Sequence, residues 1–392
     1  MDKELLSDEI QAFIDESVGT DVSKLALLKN PFPDSDYKEI LNQIAAKTKA
    51  KDKLPTWFSA SEIYYPAKVS VEQTSSEKTA DYKANLISGH DLIDLTGGFG
   101  VDDYYFSKRF EKVVHCELDL ELSGIAAHNF DRLKAFNVRC ETGDSTEILK
   151  HERGKFDWIY IDPSRRNETK GKVFMLRDCL PNVPDLLDFY FGHSDNILIK
   201  TAPILDISAA LSELKNVREI HIVALENEVK ELLFVIQKNF VGSPNLVSVN
   251  ITKDGMQRFE SSFSQSADAN YGNPKTYLYE PNAAIMKSGA FDAIGLAFDL
   301  DKLHKHSHLY TSDEKIMDFP GRIFEVKREF AYDKANMKNY MLQSKANVST
   351  RNFPETVEAL RKKWKIRDGG DHYCFFTTVA SNDKIVLFCA KI

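Results

Sequence analysis

An apolar strand that runs straight into a glycine-rich turn, with a helix behind it, leaves a chain few ways to fold, and residues 91–100 have this form. Asp91-Leu92-Ile93-Asp94-Leu95 gives way to Thr96-Gly97-Gly98-Phe99-Gly100. Glycine there permits positive φ and lets the backbone come close to a ligand. Beyond the turn, apolar strands alternate with amphipathic helices. Strands are predicted near 91–95, 112–117, 156–161, 195–200, 219–224 and 231–237, with a weaker one near 137–140. Such alternation predicts a Rossmann-like α/β fold, a doubly wound parallel sheet whose ligands lie at the carboxyl ends of the strands.

The rest of the chain has different textures. At 392 residues it is too long for one ordinary core. Residues 1–70 carry apolar side chains at helical spacings, among them Ile10, Phe13, Ile14, Ile40, Leu41 and Ile44, and predict a helical amino-terminal domain. Thr74-Ser75-Ser76-Glu77 fits a capping box opening the next helix. The sheet domain is placed at 71–241 and a small α+β module at 242–320, where turns containing proline interrupt short apolar runs. Residues 321–392 form the last unit, with a strand near 323–330, a helix from Pro354 and a hairpin turning at Ser381-Asn382-Asp383-Lys384.

Three acidic residues stand where successive strands end. Glu117 closes Val113-Val114-His115-Cys116-Glu117, at the distance from the glycine turn where a carboxylate accepts from a ribose diol. Asp144, with Ser145, follows the third strand, and Asp162 ends Trp158-Ile159-Tyr160-Ile161-Asp162. A dinucleotide enzyme would share the turn and the ribose acid, but reading G-x-G-x-x-G from Gly98 puts Asp103 in the third glycine's place. A carboxylate there repels a pyrophosphate, whereas a phosphate-free sulfonium nucleoside meets no such repulsion and suits Asp94.

Residues 73–233 resemble class I methyltransferases dependent on S-adenosyl-L-methionine, and the whole chain resembles a bacterial family of such proteins with a ferredoxin-like module and a carboxy-terminal THUMP-like domain. The resemblance is carried by Glu72-Gln73-Thr74-Ser75-Ser76-Glu77, the run from Asp94 to Asp102, His128-Asn129-Phe130, Asp162-Pro163-Ser164-Arg165-Arg166, Lys200-Thr201-Ala202-Pro203, Glu228-Val229-Lys230-Glu231-Leu232-Leu233 and the run from Ala346 to Pro354. It implies that Asp94, Thr96, Gly97, Gly98 and Gly100 surround the methionine part of the cofactor, that Glu117 and Leu118 flank the ribose, and that Asp144 and Ser145 border the adenine. Asp162, Pro163, Ser164, Arg165 and Arg166 take the place of the D-P-P-Y motif of enzymes that methylate exocyclic base amines, with Lys200 in support. Here Ser164 and Arg165 replace the second proline and the aromatic, although an arginine plane can also stack on a base. The expected activity is methylation of a base in structured RNA, tRNA or rRNA. Alternatives are a protein or small-molecule acceptor, or a binding protein without catalysis.

Charge supports a polyanionic partner only at one end. The net charge is -8, yet residues 321–392 hold 14 Lys and Arg against 8 Asp and Glu, while residues 1–320 hold 37 against 51. Arg361, Lys362, Lys363, Lys365 and Arg367 are predicted on one helix face opposite Val357, Leu360 and Trp364, a candidate RNA contact or else a solvated basic face. His304, His306 and His308 would share one side of a strand, but without a carboxylate or thiol to complete a metal site, none is expected. No apolar run approaches the roughly 18 residues that span a bilayer. The start Met1-Asp2-Lys3-Glu4 is not that of a secretion signal, and the five cysteines show no C-x-x-C pair, so a cytoplasmic chain with free thiols is expected.

Overall fold

The computed structural model describes residues 1–66, 71–165, 175–263 and 268–392. They form two compact units, one of Met1–Arg218 with Leu232–Gly242, the other of Glu219–Glu231 with Ser243–Ile392.

The first unit begins with helices α1 (Asp8–Glu16), α2 (Val22–Leu25), α3 (Tyr37–Lys53) and α4 (Pro55–Ser59), with Asp21 and Asp36 capping α2 and α3. Helix α5 (Glu77–Leu86) then leads to strand β1 (Asp91–Asp94), α6 (Val101–Phe106), β2 (Lys112–Glu117), α7 (Leu120–Arg132), β3 (Val138–Thr142), α8 (Ser145–His151) and β4 (Trp158–Ile161). A short pair, β5 (Ser164–Arg165) and β6 (Cys179–Leu180), precedes α9 (Val183–Tyr190), β7 (Asn196–Thr201) and α10 (Ile207–Glu213). Strands β8 (Val217–Leu225) and β9 (Glu228–Gln237) follow. Parallel pairing joins β3 to β2, β2 to β1, β1 to β4 and β4 to β7, and β9 closes this side antiparallel to β7, from Leu232 opposite Thr201 to Gln237 opposite Asn196. The chain therefore winds outward from β1 to β3 and returns to β4. This puts the topological switch point, where open α/β sheets bind ligands, between β1 and β4.

Ahead of α5 the chain must bury an extended segment, and extended backbone without a strand partner leaves its amide and carbonyl groups unsatisfied. Two side-chain amides supply the partners. Asn129 on α7 accepts from the Tyr64 amide and donates to the Tyr64 carbonyl, both at 2.9 Å. Gln43 on α3 does the same for Tyr65, at 2.9 and 2.6 Å. His128 Nε2 meets the Glu62 carbonyl at 2.8 Å. The helical amino terminus is thus fastened to the sheet's own helix.

Helix α5 is capped two residues later than the capping box Thr74-Ser75-Ser76-Glu77 would have it. Ser76 is its cap, accepting from the Thr79 amide at 3.2 Å. Glu77 does not close a capping box; it is buried and binds the Thr56 amide, the Thr56 hydroxyl and the Tyr105 hydroxyl at 2.6 to 2.7 Å. Tertiary partners have captured the carboxylate that local pattern assigned to a cap.

In the second unit β10 (Asn245–Thr252) pairs parallel with β8 and antiparallel with β11 (Gly255–Ser262). A seven-stranded sheet then follows in the order β13-β14-β12-β15-β18-β17-β16, built from β12 (Tyr277–Pro281), β13 (Asp301–Lys302), β14 (Tyr310–Ser312), β15 (Gly321–Ala331), β16 (Asn347–Arg351), β17 (His372–Thr378) and β18 (Lys384–Lys391). Helices α11 (Ala283–Ser288) and α12 (Phe291–Ala297) lie in its first half, and α13 (Lys334–Tyr340) and α14 (Val357–Trp364) in its second. Met337, Met341, Leu360, Trp364, Phe376 and Val386 form one buried cluster there.

Two expectations need correction in this unit. Helix α14 starts at Val357, capped by Thr356, and ends at Trp364. Lys365 is left-handed with φ 56°, and Arg367 bridges to Lys345, so only Arg361, Lys362 and Lys363 of the basic set are helical. His304, His306 and His308 occupy a turn after β13, not a strand. His304 contacts Asn352 at 2.9 Å, while His308, at φ 51°, stacks on Phe291 with ring centroids 3.7 Å apart.

If the Asn129 clamp supports the extended segment, Asn129→Ala leaves two buried backbone groups of Tyr64 unpartnered and should cost about 2 kcal/mol or more. Urea unfolding of the purified protein measures this; a loss within error would show that the segment is held by other means.

Candidate active site

Where β1 and β4 end, the chain encloses a cleft of about 130 Å³ lined by Gln73, Thr74, Ser75, Asp94, Thr96, Gly97, Gly98, Phe99, Gly100, Val101, Asp102, Tyr160, Asp162 and Lys200. Five residues assigned from sequence, Asp94, Thr96, Gly97, Gly98 and Gly100, thus meet with Asp162 and Lys200 at the glycine turn, while Asp102, Ser75 and Tyr160 were not anticipated as a group.

The turn is held from below. Gly98 and Gly100 have φ of 59° and 80°, the left-handed region that side chains resist. Gly97 is glycine for another reason: a Cβ there would overlap the His115 imidazole, and one on Gly100 would overlap the Phe130 ring. His115 is wholly buried, with Nδ1 2.7 Å from the equally buried Asp103 carboxyl. The residue occupying the third-glycine position is therefore under the turn, part of its foundation.

Asp94 points its carboxyl into the protein and accepts from the Thr96 amide at 2.7 Å and the Thr96 hydroxyl at 3.0 Å. Burial, reinforced by neighbouring Asp103, pushes Asp94 well above the usual carboxylate range, and burial with the nearby Asp102 charge does the same to Asp103. Burial also lowers His115, favouring its neutral ring. Burial thus favours the neutral form of both carboxyls and of the imidazole, which together make a compact polar base.

Asp102 behaves in the opposite way. Burial alone would raise it, but Lys83, Lys200 and the hydroxyls of Tyr160 and Ser75 outweigh that effect and hold it below its ordinary value. Ser75 and Tyr160 donate to Oδ2 at 3.0 and 2.7 Å, and the completely buried Lys83 ammonium lies 3.2 Å from Oδ1. Across the cleft, Asp162 is ion-paired with Lys200, and its amide donates to the Thr96 hydroxyl at 2.7 Å.

The other assigned residues lie outside the cleft. Glu117 accepts from the amides of Gly98 and Asp119 at 2.9 and 2.8 Å, bracing the turn from β2, and Leu118 beside it is exposed. Asp144 caps α8 by accepting from the Thr146 and Glu147 amides. It borders a separate open groove with Thr142, Arg139 and His151. Pro163 is buried, Ser164 and Arg165 form the short strand pairing with Cys179 and Leu180, and Arg166 lies outside the described residues. Among the described residues no group of His, Cys, Asp or Glu is arranged to hold a metal ion. All five cysteines are free thiols, and no described helix is long and apolar enough to cross a membrane.

The amino-acid end of a sulfonium nucleoside fits this lining, which offers one ionised carboxylate, an ammonium and several hydroxyls beside open backbone at Gly98.

Two outcomes follow from the buried base. Gly97→Ala must displace the His115 ring and should cost about 1–3 kcal/mol, read by thermal unfolding. Asp94 and Asp103 keep protons in the folded state where the unfolded chain has released them. Their contribution is therefore complete below the ordinary value of 3.8 and is lost as pH rises through the raised folded values. The unfolding midpoint should fall as pH rises above the ordinary carboxyl value of 3.8, and Asp103→Asn should flatten that limb; an identical slope in both proteins would place the titrating group elsewhere.

Family models match residues 277–320 as a ferredoxin-like domain and residues 321–391 as a THUMP-like domain. A candidate methyltransferase of Porphyromonas gingivalis W83, known from its crystal structure, is 30% identical over 100% of this chain and 98% of its own, with a TM-score of 0.87. Partial matches include TrmK of M. capricolum in complex with S-adenosyl-homocysteine, 13% identical over 41% of this chain and 68% of its own, with a TM-score of 0.33. Another is an rRNA methylase of Streptococcus thermophilus, 12% identical over 41% and 96%, with a TM-score of 0.30. No curated protein matches the chain. Matched from end to end at 30% identity and carrying both terminal modules, the chain belongs to the family of methyltransferase-fold proteins with a ferredoxin-like module and a THUMP-like domain.

Proposed function

We infer that the protein transfers a methyl group from S-adenosyl-L-methionine to a base in structured RNA. The observation that carries the transfer reading is the cleft at the switch point, where Asp162 and Lys200 stand opposite the glycine turn. When bound, the cofactor supplies an activated methyl on a sulfonium, so the protein's work is placement more than activation. Thr96 fixes the Asp162 backbone, Lys200 fixes its carboxylate, and Asp162 in turn orients the acceptor's hydrogens. Glu117, Leu118, Asp144 and Ser145 are proposed to receive the ribose and adenine. Pro163 and Ser164 are proposed to meet the acceptor, with Arg165 and Arg166 assigned to a base or phosphate.

RNA as acceptor rests on the carboxy-terminal unit. Its match to a THUMP-like domain and its excess of cations both suit a polyanion. On α14, Arg361 pairs with Asp368 and Lys363 with Glu355, while Lys362 and the adjoining Lys365 are exposed.

Purified protein incubated with labelled S-adenosylmethionine and, in parallel, total RNA, protein extract and metabolites should label RNA, and Asp162→Ala should slow that labelling about a hundredfold. Label confined to protein or metabolites would overturn the RNA acceptor, and undiminished turnover would remove Asp162 from its role. RNA affinity should fall roughly 40-fold between about 50 and 200 mM salt if three phosphates of a duplex are contacted. Lys362→Ala with Lys365→Ala should weaken binding and make that dependence shallower.

A further inference from the structure

We propose that Arg322 and Arg351, held side by side on the buried Glu280 carboxylate, form a binding site for a phosphate group, with the turn at residues 304–308 on its rim. The site goes beyond the function inferred above: it lies wholly in the second unit and shares no residue with the cleft.

Only 3% of the Glu280 side chain is exposed, and a carboxylate at that depth needs a cationic partner. It has two. Arg322 on β15, opposite Glu280 in register, donates from Nε to Oε2 at 2.7 Å and from Nη2 to the same oxygen. Arg351, the last residue of β16, donates from Nη2 to Oε1 at 2.7 Å. Each guanidinium is thus fixed along one edge while 36% of each side chain stays exposed. Arginine has five N–H donors, so both groups have donors to spare. Among the described residues neither arginine pairs with a second carboxylate, and two positive charges therefore face one negative. Two guanidinium groups fixed beside each other, with donors left over and a surplus charge, match the several oxygens of a phosphate.

The surroundings hold the pair in place and agree in charge. Arg322 lies over the rings of Phe324 and Tyr373, 5.4 and 5.9 Å from their centroids. Beside Arg351, the Asn352 carbonyl accepts from the Thr378 hydroxyl at 2.6 Å, and the Asn352 amide meets His304 Nδ1 at 2.9 Å. The His306 amide donates to the same Nδ1 at 3.0 Å, so the neutral His304 ring carries its proton on Nε2 and keeps a donor to offer. These contacts dock the histidine turn on the end of β16, and they give the run from Ala346 to Pro354 a purpose. Burial, then Lys302, His306 and Arg351, push His308 in this turn down to about 4 against the opposing effect of Asp292. A field that disfavours a proton favours an anion. Lys302 is paired with Asp292, whereas the exposed Lys305 makes no ion pair among the described residues.

Calorimetric titration of the full chain with inorganic phosphate, at an ionic strength held constant with chloride, tests this. The wild type should bind a single phosphate saturably in the low-millimolar range. Arg322→Lys and Arg351→Lys keep the charge but lose the fork, and each should weaken binding about tenfold, the scale of a charge-assisted hydrogen bond. No saturable binding, or an affinity unchanged in both variants, would overturn the proposal. The wild type supplies an arm that needs no variant to fold. With isotope-labelled histidine, phosphate should shift the ring signals of His304 and His306 and spare those of the buried His115 and His221. Shifts confined to other histidines would place the anion elsewhere and overturn the proposal as well. A uridine oligomer with and without a terminal phosphate then identifies the source. Displacement of inorganic phosphate by both forms marks a backbone diester, by the phosphorylated form alone a terminal monoester, and by neither a small free phosphate; each of these outcomes supports the phosphate site.

Discussion

The hydroxyl of Thr96 joins the two turns on which the site is built. It donates to Asp94 at the end of β1 and accepts from the Asp162 amide just past β4. Strands β1 and β4 are neighbours in the sheet but 63 residues apart in the chain, counting from Asp94 to Asp157, and their loops diverge at the switch point. One hydroxyl, with its proton committed to Asp94, fixes the separation of the glycine turn and the Asp162 turn. The proposed methyl transfer would depend on that separation, since misplacement by an ångström can remove much of the benefit of proximity.

Below this link the protein keeps its charges low, and beside it keeps them high. Asp94, Asp103 and His115 are buried together, and burial drives all three toward neutral forms that can share hydrogen bonds without the desolvation cost of ions. Asp102 is one residue from Asp103, yet the next step along α6 turns its carboxylate toward Lys83, Ser75 and Tyr160 and keeps it ionised. The two adjacent aspartates thus face opposite environments and do different jobs, one supporting the turn and the other lining the cleft.

Much of this architecture was legible because period and punctuation survive in sequence. Strands β1, β2, β4 and β7 are short, predominantly apolar runs of the kind a doubly covered parallel sheet demands, and the glycine turn announces where ligand and backbone approach. The terminal hairpin could be read from its polar turn. What escaped notice was decided by partners distant in the chain. Glu77 reads as a cap because Thr74 is three residues before it, but Thr56 and Tyr105 take its carboxylate. His128-Asn129-Phe130 could be picked out as a motif without a reason. The reasons are the Glu62 carbonyl, the Tyr64 backbone and the space over Gly100. Lys83 looks like an ordinary solvent-facing lysine of an amphipathic helix, and only the fold shows it buried against Asp102.

These missed contacts share one consequence. The described residues 62–66 and 71–76 are neither strand nor regular helix, and backbone of this kind has few internal hydrogen bonds with which to define its shape. They take their position from outside: Asn129, Gln43 and His128 hold residues 62 to 65, while Ser75 is held by Asp102 and Lys83. Next to the cleft wall at Gln73 to Ser75, the Glu72 carbonyl accepts from Lys53 at 2.6 Å and its carboxylate pairs with Lys49 at 2.9 Å, both lysines on helix α3. Those contacts give the helical amino terminus a role in the site although none of its helices lines the cleft: by holding Glu72, helix α3 restricts where the wall beside the glycine turn can stand.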